Sequence, residues 1–293
     1  MKQTRIIEGL SEIAPRYEGF ILDLWGCLHD GVKAFPPAVE AARKLKEAGG
    51  RILVLSNAPR RASEVTQRCL ELGIDGRCYH DVLSSGEDAW QNLKQRKDPW
   101  YQRLGRRCYH LGPERDHGMR DGQELEFVAN PEEADFILNT GADQPDDSVE
   151  TYASVLEAGL AKGLPMTCAN PDLEVIRGGR REICAGAIAQ RYQELGGDVR
   201  YHGKPYAPIY ESAARLLGIK DPAKVLCIGD ALRTDVAGAN LMGMGSLWIL
   251  DGIHGAALGL DEGKGGRPSD AQLEAEMTAV GQRADYGLSF LRW

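Results

Sequence analysis

The chain has 293 residues, 43% hydrophobic and 27% charged, with a net charge of −8. That length supports one large core or two modest ones, and the acidic balance argues against a broad nucleic-acid-binding face. No apolar run approaches the ~20 residues that cross a bilayer, so neither nucleic acid nor membrane is expected as a partner.

The N-terminal stretch lacks the apolar centre of a secretory signal. The seven cysteines are scattered, with no CxxC pair. Reduced core thiols in a cytoplasmic protein fit that pattern better than disulfides or a zinc site.

In chain order, FILDLW (20–25) predicts a strand, 37–48 a helix, RILVLS (51–56) a strand, and 61–72 and 86–96 helices. Residues 97–133 are polar and short of clear strands, apart from RRCYHLG at 106–112 and ELEFVA at 124–129. Then come a strand (135–140), a helix (148–162), a strand (164–169) and two helices (182–195 and 206–217). Strands at 224–229 and 246–250 flank a helix at 235–242, and a last helix covers 269–281. The strands are rich in Leu, Ile and Val and barely alternate, as strands buried on both faces should. The first helix shows how the ends are marked: Pro36 and Pro37 open it and Gly49-Gly50 closes it. Strand–helix alternation predicts an α/β fold with a largely parallel sheet. The stretch from 97 to about 200 reads as an inserted α/β module, and glycine-rich 260–270 as a mobile loop.

Four places can carry chemistry. Asp23 ends an apolar strand, with Gly26 giving room to turn. In a parallel sheet ligands bind beyond strand carboxyl ends, so Asp23 could be a nucleophile or a metal ligand, or it could simply cap a turn. Ser56 and Asn57 close the next strand before a helix, where a hydroxyl and free N–H groups suit an anionic oxygen or cap the helix. Lys204 is restrained between Gly203 and Pro205, and a lysine can neutralise a carboxylate and a phosphate together. Asp230 ends another apolar strand and Asp235 follows five residues on. Paired carboxylates there suit a hard cation such as Mg2+.

Strand-Asp, strand-Ser, turn-Lys and strand-Gly-Asp, in that order, resemble the motifs of the haloacid dehalogenase-like (HAD) superfamily. The large insert, with CANPD (168–172), RGGR (177–180) and CAGAIAQRYQELGG, resembles the cap of its class IIA members. The chain also looks like an uncharacterised class IIA branch with Asp-x-Trp-Gly in its first motif. The resemblance implies a Rossmann-like three-layer core with a parallel sheet, formed by 1–85 and 201–293, and an α/β cap of C2 type over 86–200. It implies a Mg2+-dependent phosphatase acting on a small phosphorylated substrate, and it allows a cap-to-cap homodimer. Asp23 would form an aspartyl-phosphate. Mg2+ would be held by Asp23, the backbone carbonyl of Trp25 and Asp230, with Asp235 as ligand or as orienter of a water. Ser56, the N–H of Asn57 and Lys204 would bind the phosphoryl group, with Asp23 and Lys204 catalytic. Asn170 and Asp172 could face the substrate.

Trp25 departs from the family pattern. Phosphatases of this superfamily carry a second aspartate there, which protonates the leaving oxygen, and general acid–base catalysis is worth roughly 10²–10⁴-fold. Three outcomes follow: substrates with good leaving groups, replacement of the acid by His29 or Asp30, or phosphometabolite binding without useful turnover. A histidine is the residue type suited to acid–base work near neutral pH, so His29 could take that role, yet it could equally fix the segment after the first strand. A C–X hydrolase shares the aromatic residue, but the paired aspartates and the large α/β insert argue against it.

Overall fold

The computed structural model describes residues 3–177, 180–260 and 266–293. Its strands are β1 (Arg5–Ile6), β2 (Gly19–Leu22), β3 (Arg51–Ser56), β4 (Asp81–Ser84), β5 (Arg107–Leu111), β6 (Glu126–Val128), β7 (Phe136–Asn139), β8 (Met166–Cys168), β9 (Glu174–Arg177), β10 (Arg180–Ile183), β11 (Val199–Tyr201), β12 (Val225–Gly229), β13 (Gly245–Ile249) and β14 (Tyr286–Leu288). Its helices are α1 (Pro36–Glu47), α2 (Ala62–Glu71), α3 (Ser85–Gln95), α4 (Pro99–Gln102), α5 (Ala153–Lys162), α6 (Ala185–Glu194), α7 (Ala207–Leu217), α8 (Ala237–Met242) and α9 (Asp270–Val280). The chain divides into two compact units, one built from 1–56, 66–83 and 204–293, the other from 57–65 and 84–203.

The first unit is a Rossmann-like α/β core. Its seven-stranded sheet has the order β1-β14-β13-β12-β2-β3-β4. From β2 the chain steps outward through β3 to β4, and from β12 it steps the other way through β13 to β14. The order therefore reverses between β2 and β12, and the crevice beyond the carboxyl ends of those two strands is where such sheets bind ligands. Register is parallel, with Ile21 opposite both Leu53 and Cys227. Every residue of β2 and β12 is buried. Ile21, Leu53, Val225 and Cys227 pack with Ile209, Tyr210, Ala213 and Leu217 of α7. A second cluster joins Leu232, Trp248 and Leu250 to Leu273 and Met277 of α9.

The second unit holds a five-stranded parallel sheet, β11-β8-β7-β5-β6, and the separate antiparallel pair β9–β10. Successive side chains of β7 point to opposite faces. Phe136 and Leu138 pack with Trp90 and Leu93 of α3 and Tyr101 of α4, whereas Ile137 packs with Leu156 of α5 and Ile188 and Tyr192 of α6. That is why its apolar runs read as continuous rather than alternating.

Several expectations shift. The strand expected over 20–25 ends at Leu22; Asp23 still donates its N–H to Ile228 O at 2.9 Å, and the chain then turns. The helix expected over 182–195 starts only at Ala185, because Arg180–Ile183 pairs with Glu174–Arg177 as a hairpin. Residues 178–179 of the RGGR stretch, and 261–265 of the expected loop, lie outside the described residues. The helix expected from 148 begins as a 3-10 turn over Val149–Tyr152 behind a Ser148 capping box. The short strands β1, β4, β9, β11 and β14 were not predicted. Among the described residues no helix is long and apolar enough to cross a membrane. All seven cysteines are free and buried.

Candidate active site

Asp23 follows β2 directly, and Lys204 approaches it from the segment before α7. Lys204 Nζ lies 2.7 Å from Asp23 Oδ1 and 2.7 Å from Asp235 Oδ1. All three side chains are buried. Asp235 is carried on a π-helical turn, Leu232–Val236, and its other oxygen accepts the Ala231 N–H at 3.2 Å. Such turns recur at functional sites, since the wider ring re-aims a side chain. At Gly229 a Cβ would lie 2.0 Å from the Asp235 carboxyl carbon, so only glycine fits there.

Asp230 follows β12, the strand beside β2. Its Oδ2 accepts the Ile253 N–H at 2.9 Å and its backbone carbonyl accepts the Trp248 indole N–H at 3.0 Å. Gly26 has φ +74°, and a Cβ there would come within 2.0 Å of Asp230 Oδ2. Glycine thus serves both the turn after Asp23 and the close approach of Asp230. Ser56, at the end of β3, is buried at the same carboxyl end of the sheet, since Leu22 is in register with Val54.

The described residues include one group whose ligand atoms lie within 4.8 Å of one another, Asp23, Cys27 and Asp230. Burial pushes the Asp23 carboxyl well up; Lys204 opposes the rise, and Asp235 and Asp230 add to it. Three buried carboxyl groups surround one buried ammonium, and the oxygen-rich donor set suits a divalent cation of the hard kind. Cys27 was missed in the sequence reading, although it stands four residues after Asp23. Its thiol is pushed up by burial and then by Asp230 and Asp23, so it sits beside the carboxylates as a neutral group.

Trp25 is half-buried, with its ring against Gly31 and edge-on to His29 at 5.3 Å. His29 Nδ1 accepts the Gly31 N–H at 2.9 Å. Asp30 Oδ1 accepts the Val32 and Lys33 N–H groups, each at 2.8 Å. Burial works against its charge, but the bonds from Lys33 and Val32 outweigh that and hold its pKa below the ordinary value. Both groups are thereby engaged in shaping the turn.

The remaining expected residues belong to the second unit. Asn57 Nδ2 donates to Asp172 Oδ1 at 2.7 Å, and Asp172 N–H donates to Asn170 Oδ1 at 2.9 Å. A Cβ on Gly203 would lie 2.4 Å from Asn57 Oδ1. The chain passes between the units at Ser56–Asn57, Val65–Thr66, Leu83–Ser84 and Gly203–Lys204.

Known proteins bear on this arrangement. A family model described as haloacid dehalogenase-like hydrolase matches residues 20–125, and a second, described as HAD-hydrolase-like, matches 201–270. The crystal structure of a haloacid dehalogenase-like family hydrolase from Brucella suis 1330 has 31% identity and a TM-score of 0.83, over 98% of this chain and 100% of that one. The D-glycerol 3-phosphate phosphatase of Mycobacterium tuberculosis is 28% identical over 84% of this chain and 67% of its own. The 5'-nucleotidase YutF of Bacillus subtilis is 27% identical over 81% and 88%. The two models together span Asp23, Ser56, Lys204 and Asp230, and the match to the Brucella hydrolase runs through the whole fold. On these grounds the chain belongs to the haloacid dehalogenase-like hydrolase family.

Proposed function

We propose that the protein is a Mg2+-dependent phosphatase for a small phosphorylated metabolite, with Asp23 as its nucleophile. The observation that carries this reading is the ammonium of Lys204 shared at 2.7 Å between Asp23 and Asp235, beside a third buried carboxylate, Asp230. That arrangement keeps one carboxylate ready to react while a cation balances the others. The phosphatase names of the relatives support phosphoryl chemistry over C–X cleavage.

On this reading an oxygen of Asp23 attacks phosphorus, the bond to the leaving oxygen breaks, and an aspartyl-phosphate forms. Water then attacks phosphorus, releasing inorganic phosphate and freeing Asp23. Ser56, the Asn57 N–H and Lys204 hold the phosphoryl oxygens, and Asp235 holds Lys204. Asp23, Asp230 and the Trp25 carbonyl would hold Mg2+, which would supply positive charge where the transferred group gathers negative charge. Residues 1–85 and 201–293 serve as the core and 86–200 as the C2-type cap, with Asn170 and Asp172 on the cap. A cytoplasmic homodimer is part of the same reading.

The Trp25 indole is far too weak an acid to protonate a leaving oxygen, so the substrate class favoured is one whose leaving group departs unaided, an acyl or aryl phosphate. Trp25 also favours the second reading, a phosphometabolite-binding protein that keeps the site without turning over. A screen of acyl, aryl and alkyl phosphates with Mg2+ separates the two. Phosphate release abolished by EDTA and by Asp23→Asn supports the enzyme. Calorimetric binding without product, in protein with intact Asp23, supports the binder.

A further inference from the structure

His254 lies behind the crevice and has no part in the chemistry above, yet its ring ties together the pieces that hold Asp230. Its Nε2 accepts the Leu232 N–H at 3.2 Å, at the start of the turn that carries Asp235. With Nε2 an acceptor, Nδ1 bears the proton and donates to Glu276 Oε1 of α9 at 2.7 Å. The ring also stands edge-on to Trp248, with centroids 5.5 Å apart.

Trp248, Ile253 and Leu232 each lead from the ring to Asp230. Trp248 donates its indole N–H to the Asp230 carbonyl. Ile253, the residue before His254, donates its N–H to Asp230 Oδ2. Leu232 is two residues after Asp230. One imidazole thus pins the loop after β13 to the turn after β12, with Asp230 between the two.

We propose that His254 is a positioning residue for the cation site: by joining Ile253's loop to Leu232's turn it fixes the rotation of the Asp230 carboxylate. The proposal rests on the reading of Asp230 as a cation ligand. Groups that orient a metal ligand without touching the metal typically govern affinity by 10–100-fold.

The test is Mg2+ titration of the full-length protein by calorimetry, with p-nitrophenyl phosphate kinetics alongside, for wild type, His254→Phe, His254→Gln and Glu276→Gln. His254→Phe keeps the ring's packing but loses both polar contacts, and should weaken Mg2+ binding about tenfold or more. The KM for p-nitrophenyl phosphate at saturating Mg2+ should stay within a factor of about two, because His254 contacts none of the residues proposed to hold the phosphoryl group. His254→Gln, whose amide oxygen can still accept from Leu232, should recover most of the affinity. Glu276→Gln should give an intermediate loss and guards against a Phe variant that fails to fold. Variants that melt earlier yet bind Mg2+ as tightly as wild type would overturn the proposal and leave the cation reading standing. A wild-type protein that binds no Mg2+ would instead sink the cation reading itself.

Discussion

Lys204 and Asp235 form the fixed half of the site. The 2.7 Å contact between them is buried on both sides, and the carboxylate that holds the lysine is not the one proposed to react. The ammonium is thereby aimed at Asp23 with little freedom to leave it, which suits a group that must stabilise charge without reorganising.

Replacing Lys204 with Met should cost activity and stability together. Turnover of p-nitrophenyl phosphate should fall about 100-fold or more. Removing one partner of a buried pair leaves uncompensated charge and costs about 3–5 kcal/mol; here two carboxylates lose their partner, and urea denaturation reads the loss. Saturating Mg2+ should restore part of the lost stability, since it binds the folded site alone. A variant as stable as wild type in EDTA would contradict this account.

Gly26→Ala tests the approach of Asp230 to the turn after Asp23. The new Cβ would meet Asp230 Oδ2 at 2.0 Å in a backbone with φ +74°. Mg2+ affinity should drop, and stability should fall by roughly 1–3 kcal/mol. Gly73→Ala is the control, because Gly73 has φ +79° with nothing within 4 Å of its Cβ position. It should cost stability alone. Equal Mg2+ affinity in the two variants would count against the close packing of Gly26 on Asp230.

Trp25→Asp asks whether the missing acid limits turnover. The substitution leaves the main-chain carbonyl in place and installs a proton donor. Alkyl phosphate turnover should rise by about tenfold or more, within the range of general acid catalysis, while aryl phosphate turnover changes little. The lost ring contact of half-buried Trp25 with His29 and Gly31 should cost about 1–2 kcal/mol. A fall in turnover on both substrate types would mean that the ring itself serves the reaction.

His110, in the second unit, predicts a pH dependence of stability. Burial, and then the charge of Arg120, lower its pKa from 6.5 to about 4. Arg120 Nε donates to its Nδ1 at 2.8 Å, and Nε2 pairs with Thr140 Oγ1 at 2.9 Å. The unfolded chain takes up the proton at the higher pH, so the stabilisation by neutral His110 is complete above about pH 6.5 and shrinks as pH falls towards 4. The slope is at most about 1.4 kcal/mol per pH unit. The stability advantage of wild type over His110→Gln should therefore narrow across that window. An advantage constant from pH 7 to 4.5 would rule out this group as the cause.

Much of the site was legible because its parts sit at strand ends, and strand ends are written locally. Asp23 after FIL, Ser56 after RILVL and Asp230 after VLCIG each close an apolar run. Periodicity extends a helix back to 182, into β10, because Arg180–Ile183 is stabilised by its partner strand, which the pattern within one segment does not record. The strands β1, β4, β11 and β14 were missed for the same reason: each has two to four residues and owes its conformation to a neighbour.

By itself the sequence determined the main buried strands at 20–25, 51–56, 224–229 and 246–250, the carboxylates at their ends and the lysine in its Gly-Lys-Pro turn, and the family resemblance marked Trp25 as standing where a proton donor is expected. Only the tertiary structure decided that β12 lies beside β2, so that residues 23 and 230 meet at one crevice. It alone brought Cys27 against the two carboxylates and set His254 behind Asp230. The physical reason is that strand order and close approach depend on contacts between residues some 200 positions apart, whose pairing is selected by packing of the whole sheet and leaves no local periodicity to read.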